Sequence, residues 1–301
     1  MKTVIGLEIH VGLLTKSKMF CSCSTDLGNI QNSQCCPVCL GMPGVLPSLN
    51  KKVIYYGIMA GLALNCNINK RSKMVRKNYF CPELVKGYQI TQYDEPLCSG
   101  GFLEIGRGDT IKKIGINRIH IEEDTGESIH AYEDETLLDY NRSGAPLIEI
   151  ITEPHLNSGE ETREFLETLK DILKCIGVSD VKTGEGSFCF DVNINVVDTG
   201  RNISTDITKL KNLNSFKSVT KAIEFEENRH RQLIEQNKDT CRGTRHRDDV
   251  ENRTRIMGAE AVTDEYRYFP ETDIMSIVLS DEEINEIKKS LTGLLPYIGG
   301  S

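Results

Sequence analysis

Three stretches of this chain alternate apolar and polar residues with a period of two, a fourth is a short apolar run, and that strand pattern restricts the fold more than any other feature. In VIGLEIHV (4–11), Ile5, Leu7, Ile9 and Val11 fall on one side of an extended chain, and Gly6, Glu8 and His10 on the other. In SFCFDVNINV (187–196), Phe188, Phe190, Val192, Ile194 and Val196 alternate with Cys189, Asp191, Asn193 and Asn195. INRIHIEE (116–123) sets Arg118, His120 and Glu122 against Ile119 and Ile121. PLIEII (146–151) is almost continuously apolar, with Glu149 inside it. Strands of this kind belong to a sheet with one buried face and one polar face.

Helical spacing supplies the cover for the buried face. Residues 51–65 read as a buried helix ending near Asn65. Ser158-x-x-Glu161 is a capping-box signature ahead of Phe165, Leu166, Leu169, Ile172, Leu173 and Ile176, and Gly177 stops that helix. A third helix runs from Phe216 to Gln236, with Phe216, Val219, Ala222, Ile223 and Leu233 as its apolar stripe. The expected fold class is α+β: a largely antiparallel sheet with helices on one face. At 301 residues, 39% apolar and 27% charged, the chain has the material for a full core.

The polar face is rich in carboxylates. Glu8 and His10 lie two apart, as do Asp191, Asn193 and Asn195, and Glu149 interrupts an otherwise buried strand. Carboxylates gathered in one concavity repel unless a cation lies between them, and hard oxygen ligands suit magnesium, the usual companion of nucleotide phosphates. No Walker or kinase-type glycine loop is present. Glu8 and His10 are expected to share one cleft with Glu123 and Asp191.

Cysteines carry a second signal. Cys21-x-Cys23 and Cys36-x-x-Cys39 are two short-spaced pairs across a polar loop, with Cys35 beside the second pair. Two such pairs suit a tetrahedral zinc ion whose shell is closed by four sulfurs, a structural role. Cysteines this close within a pair bridge poorly, and eleven in total is an odd number, so a disulfide framework is the weaker reading.

Composition excludes several classes. The longest apolar run, VIYYGIMAGLAL (53–64), is about half of what a bilayer span needs, so no membrane partner is expected. MKTVIGLEIHV carries a glutamate and a histidine where an export signal would be apolar. The expected location is the cytoplasm, or an organelle matrix if a presequence is missing. A net charge of −8 argues against a general nucleic-acid surface and leaves room for a local basic site.

A set of motifs then gathers these features. VIGLEIHVGLLTKSKMFCSCS, CPVCLGMPGVLPSLN, RKNYFCPELVKGYQITQYDEP, IHIEEDTGESIH, DYNRSGAPLIEIITEP, FDVNINV, KNLNSFKSV and DEYRYFPETDI run in order from residue 4 to about residue 274. Together they resemble the B-type component of the heterotrimeric aspartyl/glutamyl-tRNA amidotransferase. The resemblance implies a cradle similar to the catalytic fold of glutamine synthetase and guanidino kinases, over residues 1–292 with the zinc loop at 20–40, and a linker beginning at 293–301. It implies ATP- and magnesium-dependent phosphorylation of the side-chain carboxylate of Glu or Asp mischarged on tRNA. Ammonia from an amidase partner then gives Gln or Asn, and a small C-type subunit completes the assembly. By motif, Glu8, His10, Glu123, Glu149 and Asp191 become catalytic magnesium ligands. Lys77 and Lys211 become phosphate or carboxylate contacts, and Cys21, Cys23, Cys36 and Cys39 match the zinc motif.

This chain also departs from the pattern. Lys209 in TKLKNLNSF stands where the family usually has an acid, and Gly258 and Glu260 where it usually has Arg and Lys. Cys189 stands at a position usually given to another residue type. The family's helical and tail domains are expected to be absent after residue 301, and weak tRNA binding is expected with them. Two other readings stand beside the amidotransferase: a shortened paralogue activating a carboxylate that is not on tRNA, and a non-catalytic zinc-bearing scaffold.

Overall fold

The computed structural model describes all residues except 27, 133–134, 183–185, 212, 214, 239, 249–250, 258–265 and 293–301. Gly258, Glu260 and the expected linker therefore lie outside the described residues. The chain opens with β1 (Lys2–Gly12) and α1 (Lys51–Ala63). Six short strands follow: β2 (Asn67–Ile68), β3 (Arg71–Ser72), β4 (Val75–Asn78), β5 (Tyr88–Thr91), β6 (Cys98–Ser99) and β7 (Phe102–Ile105). Next come β8 (Lys112–Glu123), β9 (Glu127–Tyr132), β10 (Glu135–Asp139), β11 (Pro146–Thr152), α2 (Gly159–Cys175) and β12 (Phe188–Asp198). The last part holds β13 (Ile203–Ser204), β14 (Thr208–Lys211), α3 (Phe216–Glu235), β15 (Gly243–Asp248), β16 (Arg253–Ile256), β17 (Arg267–Pro270), β18 (Ile277–Val278) and α4 (Asp281–Thr292).

The expected α+β architecture is present. The main sheet runs β16-β15-β14-β12-β1-β11-β8-β6-β2, with β13 beside β12 and β7 beside β8. Its described pairs are antiparallel except β14–β15, which is parallel. Ile5, Leu7, Ile9 and Val11 are fully buried on one face, with Ile119, Ile121, Ile148, Ile150, Val192 and Ile194 beside them. α1 and α3 pack on this face and α2 packs on α3, so the period-two stripe and the helical stripes form one core.

Local chemistry fixes the helix ends. Asn50 caps α1 by accepting the Lys52 N–H, and Ser158 caps α2 by accepting the Glu161 N–H. The box at α2 is not reciprocal in the expected way: the Glu161 carboxylate takes the N–H of Asn157, one residue before the cap, at 2.8 Å. Gly177, at φ 70°, then turns the chain out of α2. α1 approaches the sheet closely through Gly57, where a Cβ would lie 2.6 Å from Leu97 Cδ2. A separate three-stranded sheet, β17-β4-β5, stands over one end of the polar face. No helix among the described residues is long and apolar enough to cross a membrane.

One buried ionic knot fastens α3 to the outer strands. The carboxylate of Glu226, fully buried, accepts from Arg229 Nε at 2.7 Å, forms an ion pair with Arg245 (Nε at 2.9 Å), and is bonded by the Thr254 hydroxyl. Burial alone would push this carboxyl up, but His230, Arg229 and Thr254 hold it down at about 2. Its stabilising contribution is therefore complete above the unfolded value of about 4.3 and is lost as pH falls through about 2. Glu226→Ala leaves two arginines unpaired and is expected to cost about 3 kcal/mol in urea unfolding at neutral pH, with a smaller cost near pH 2.

Candidate functional site

The polar face is a concave basin, made of two adjoining hollows of about 310 and 690 Å³ that share Glu8, Lys77, Glu122, Glu149, Lys209 and Tyr266. Strand register builds it. His10 on β1 is paired with Glu149 on β11, which is paired with His120 on β8, so three neighbouring strands set an imidazole, a carboxylate and an imidazole in a row. On the other side of β1, Glu8 faces Asp191 of β12 directly. Of the four residues expected to share one cleft, Glu8, His10 and Asp191 line the same hollow, and Glu149 lines it with them.

Glu123 is the exception. Its carboxylate points away from the basin, bonds the Lys86 ammonium and accepts the Ile90 N–H at 2.8 Å. It lines a different hollow of about 150 Å³ with Lys18, Cys39, Arg76 and Glu271. Glu122 occupies the basin instead. The physical reason is the pleat: adjacent strand residues face opposite ways, and His120 and Glu122 share the parity that faces His10. The alternation in INRIHIEE carries this signal, whereas motif matching selects the neighbouring acid.

The centre of the basin is a tight ionic cluster. His10 Nε2 lies 3.1 Å from Glu122 Oε1 and 3.9 Å from Glu149 Oε2. His120 Nε2 lies 2.9 Å from Glu149 Oε2, and Thr91 donates to Glu122 Oε2 at 3.0 Å. Burial opposes charge on His10, but Glu122 and Glu149 outweigh it and raise the imidazole to about 9. Glu149 is likewise held down at about 2 against its own burial, chiefly by His120. One ligand atom from each of His10, Glu122 and Glu149 lies within 4.8 Å of the others, a donor set that a divalent cation can bridge.

Basic and aromatic groups line the walls. Lys77, on β4, sits with its ammonium 4.1 Å from the Tyr266 ring centre, and Tyr93 stacks on Tyr268 at 4.2 Å. Lys211 reaches the basin from β14. Arg142 clamps Asp124 with Nη2 at 2.7 Å and Nε at 3.1 Å. Arg142, Asp124, Glu122 and His120 are basin residues that the sequence does not single out as site residues. Only the last two have a periodic signal, because the first two reach the basin from outside the strands.

The cysteine loop lies apart from the basin. The sulfurs of Cys21, Cys23, Cys36 and Cys39 lie within 4.8 Å of one another, and Cys35 is not among them. Zinc–sulfur bonds of about 2.3 Å require sulfurs about 3.8 Å apart in a tetrahedron, and Cys36 and Cys39 stand at 3.9 Å. The Cys36 N–H donates to Cys39 Sγ at 3.1 Å, and the buried Lys18 ammonium lies 3.7 Å from the same sulfur. Donation from Cys21, with help from Cys36 and Lys18 against burial, brings the Cys39 thiol down to about 4, so a thiolate is already favoured there.

Comparison with known proteins identifies the family of the chain. Residues 3–285 match the family model described as the GatB/GatE catalytic domain. The chain belongs to that family. It is 51% identical over 294 residues to the B-type component of the aspartyl/glutamyl-tRNA(Asn/Gln) amidotransferase of Finegoldia magna, covering 98% of this chain and 62% of the relative. The corresponding protein of Caldicellulosiruptor saccharolyticus is 51% identical over 97% of this chain and 61% of its own length. That of Clostridium kluyveri is 49% identical over 97% of this chain and 62% of its own length. The chain thus spans about three-fifths of the length of these curated relatives.

Opposite parity gives Glu122 and Glu123 separable roles. Glu122→Gln is expected to weaken Mn²⁺ binding in the basin about tenfold or more, measured by calorimetry. Glu123→Gln is expected to leave that binding unchanged and to lower stability by about 3 kcal/mol, because the Lys86 ammonium loses its buried partner.

Proposed function

We propose that the basin binds ATP with a divalent cation and activates a carboxylate for amide formation, as the catalytic part of a tRNA-dependent amidotransferase. The observation that carries this reading is the row of Glu122, His10 and Glu149 on the open face, with Lys77 and Lys211 on its walls, in a chain of the GatB/GatE catalytic domain family. The curated relatives are named as one subunit of an aspartyl/glutamyl-tRNA(Asn/Gln) amidotransferase. That name supports mischarged Glu-tRNA or Asp-tRNA as the substrate class, and a multi-subunit assembly with an amidase and a small third subunit. The one-face-open antiparallel sheet is consistent with a cradle of the glutamine synthetase and guanidino kinase type.

The chemistry follows from the groups present. A side-chain carboxylate is a poor acyl donor. Attack by one of its oxygens on the γ-phosphorus of ATP forms an acyl phosphate and releases ADP, and attack by ammonia on the acyl carbon forms the amide and releases phosphate. A divalent cation at His10, Glu122 and Glu149 would neutralise phosphate charge during this transfer. Lys77 and Lys211 supply point charges that attract phosphate oxygens from two sides of the basin. The carboxylates of Glu8 and Glu123 are each bonded to a lysine of the chain, which removes them from the ligand set in this state.

Outside the basin, the cysteine quartet is proposed to hold one structural zinc, supported by the sulfur spacing and by the Lys18 ammonium, which offsets the excess negative charge of four thiolates. A scaffold role without catalysis is the second reading. It is favoured by the ammonium of Lys209 lying between Glu8 and Asp191.

Two measurements test these readings. Calorimetry with a non-hydrolysable ATP analogue and Mg²⁺ is expected to show binding, weakened about tenfold or more by Glu149→Gln. Absence of nucleotide binding selects the scaffold. Elemental analysis is expected to find one zinc per chain in the native protein and in Cys35→Ser, and none in Cys36→Ser. Zinc-free native protein purified without chelator rejects the zinc assignment.

A further inference from the structure

Among the described residues of the basin, Lys209 occupies a position that conflicts with the ligand set implied by the motifs. Its Nζ lies 2.6 Å from Glu8 Oε2 and 3.3 Å from Asp191 Oδ2. The remaining oxygen of Glu8 is also taken, by Asn193 Nδ2 at 2.9 Å. Both oxygens of that carboxylate are therefore satisfied by the chain itself.

The placement is set by the sheet. Glu8 and Asp191 are directly opposite on β1 and β12, an arrangement in which like charges repel unless something positive bridges them. Lys209 is opposite Asn193 on the next strand, β14, so its stem crosses one strand and delivers the ammonium between the two acids. Gly6, opposite Asn193 on β1, places no side chain in its way. Glu8 responds as a paired acid does: burial raises its carboxyl, and Lys209 and Asn193 bring it below the ordinary value.

We infer that the Lys209 ammonium takes the place of a metal ion between Glu8 and Asp191, so that this half of the basin is metal-free and divalent cations bind only at His10, Glu122 and Glu149. A cation approaching Glu8 would have to displace a charge-assisted hydrogen bond and leave the partly buried Lys209 beside a second positive charge. An ammonium donates hydrogen bonds and offers no coordination sites, so it balances the acids without drawing a phosphate oxygen into a shared shell. The inference rests on the proposed cation site in the other half of the basin, and counting bound ions separates the two.

Mn²⁺ alone, titrated into the protein and followed by the electron spin resonance of the free ion, counts the sites. The native chain is expected to bind one Mn²⁺, and Lys209→Glu two, the added site vanishing again in Lys209→Glu with Glu8→Gln. Lys209→Arg, which keeps the charge, is expected to bind one. Lys209→Ala provides the same gain with weaker affinity where the added acid of Lys209→Glu prevents folding. Its melting temperature should rise further with Mn²⁺ than that of the native chain. Two ions on the native chain, one lost by Glu8→Gln, overturn the inference, as does a folded Lys209→Glu with no added site. A native chain that binds none while Lys209→Glu binds one supports the role of Lys209 and rejects the His10–Glu122–Glu149 site.

Discussion

The structure depends on β1 lying in the middle of the main sheet, paired with β12 from Lys2 to Val11 and with β11 from Glu8 to Gly12. One face of that strand is buried completely under helices, so every second residue is forced onto the other face. The second set includes Glu8 and His10, and the neighbouring strands add Glu149, Glu122 and Asp191 in register. An apolar core on one side thus imposes a concentration of carboxylates on the other. The basin cannot be moved by one residue without exposing the core.

That concentration of charge has to be balanced within the chain. His10 and His120 balance Glu122 and Glu149, Lys209 balances Glu8 and Asp191, and Lys86 balances Glu123 on the far side of β8. The two halves of the basin are not equivalent. The imidazole half can exchange a proton for a metal ion, because a neutral imidazole is a ligand. The ammonium half holds a tethered cation with no lone pair to offer. This asymmetry comes from one side chain, Lys209, set between acids on two other strands.

Rigidity comes from elsewhere. The buried Glu226 knot anchors α3 to β15 and β16, which support the outer wall carrying Lys209 and Lys211 on β14. The cysteine loop has few apolar groups of its own, and four converging sulfurs with the buried Lys18 give it a fixed centre. Arg76, clamped to Glu271 at 2.7 Å, holds β4 beside the segment after β17 and so fixes the wall that bears Lys77.

Period and spacing determined a great deal here. The alternation of Ile5, Leu7, Ile9 and Val11 with Glu8 and His10 defined both faces of the sheet. The stripes ahead of Gly177 and from Phe216 onward located α2 and α3, and the two cysteine pairs identified the four sulfurs that converge. These are local properties, dictated by the pleat, the helical turn and short chain spacing, so they are written in consecutive residues. Only the tertiary structure decided which charged partner each acid receives. The pleat separates the faces of Glu122 and Glu123, and the fold brings His10 of β1 to one and Lys86, ahead of β5, to the other. Lys209 lies about two hundred residues from Glu8, and the pairing of β14 with β12, and of β12 with β1, brings its ammonium between two carboxylates. Charge balance acts through space between strands distant in the chain, and no local pattern encodes it.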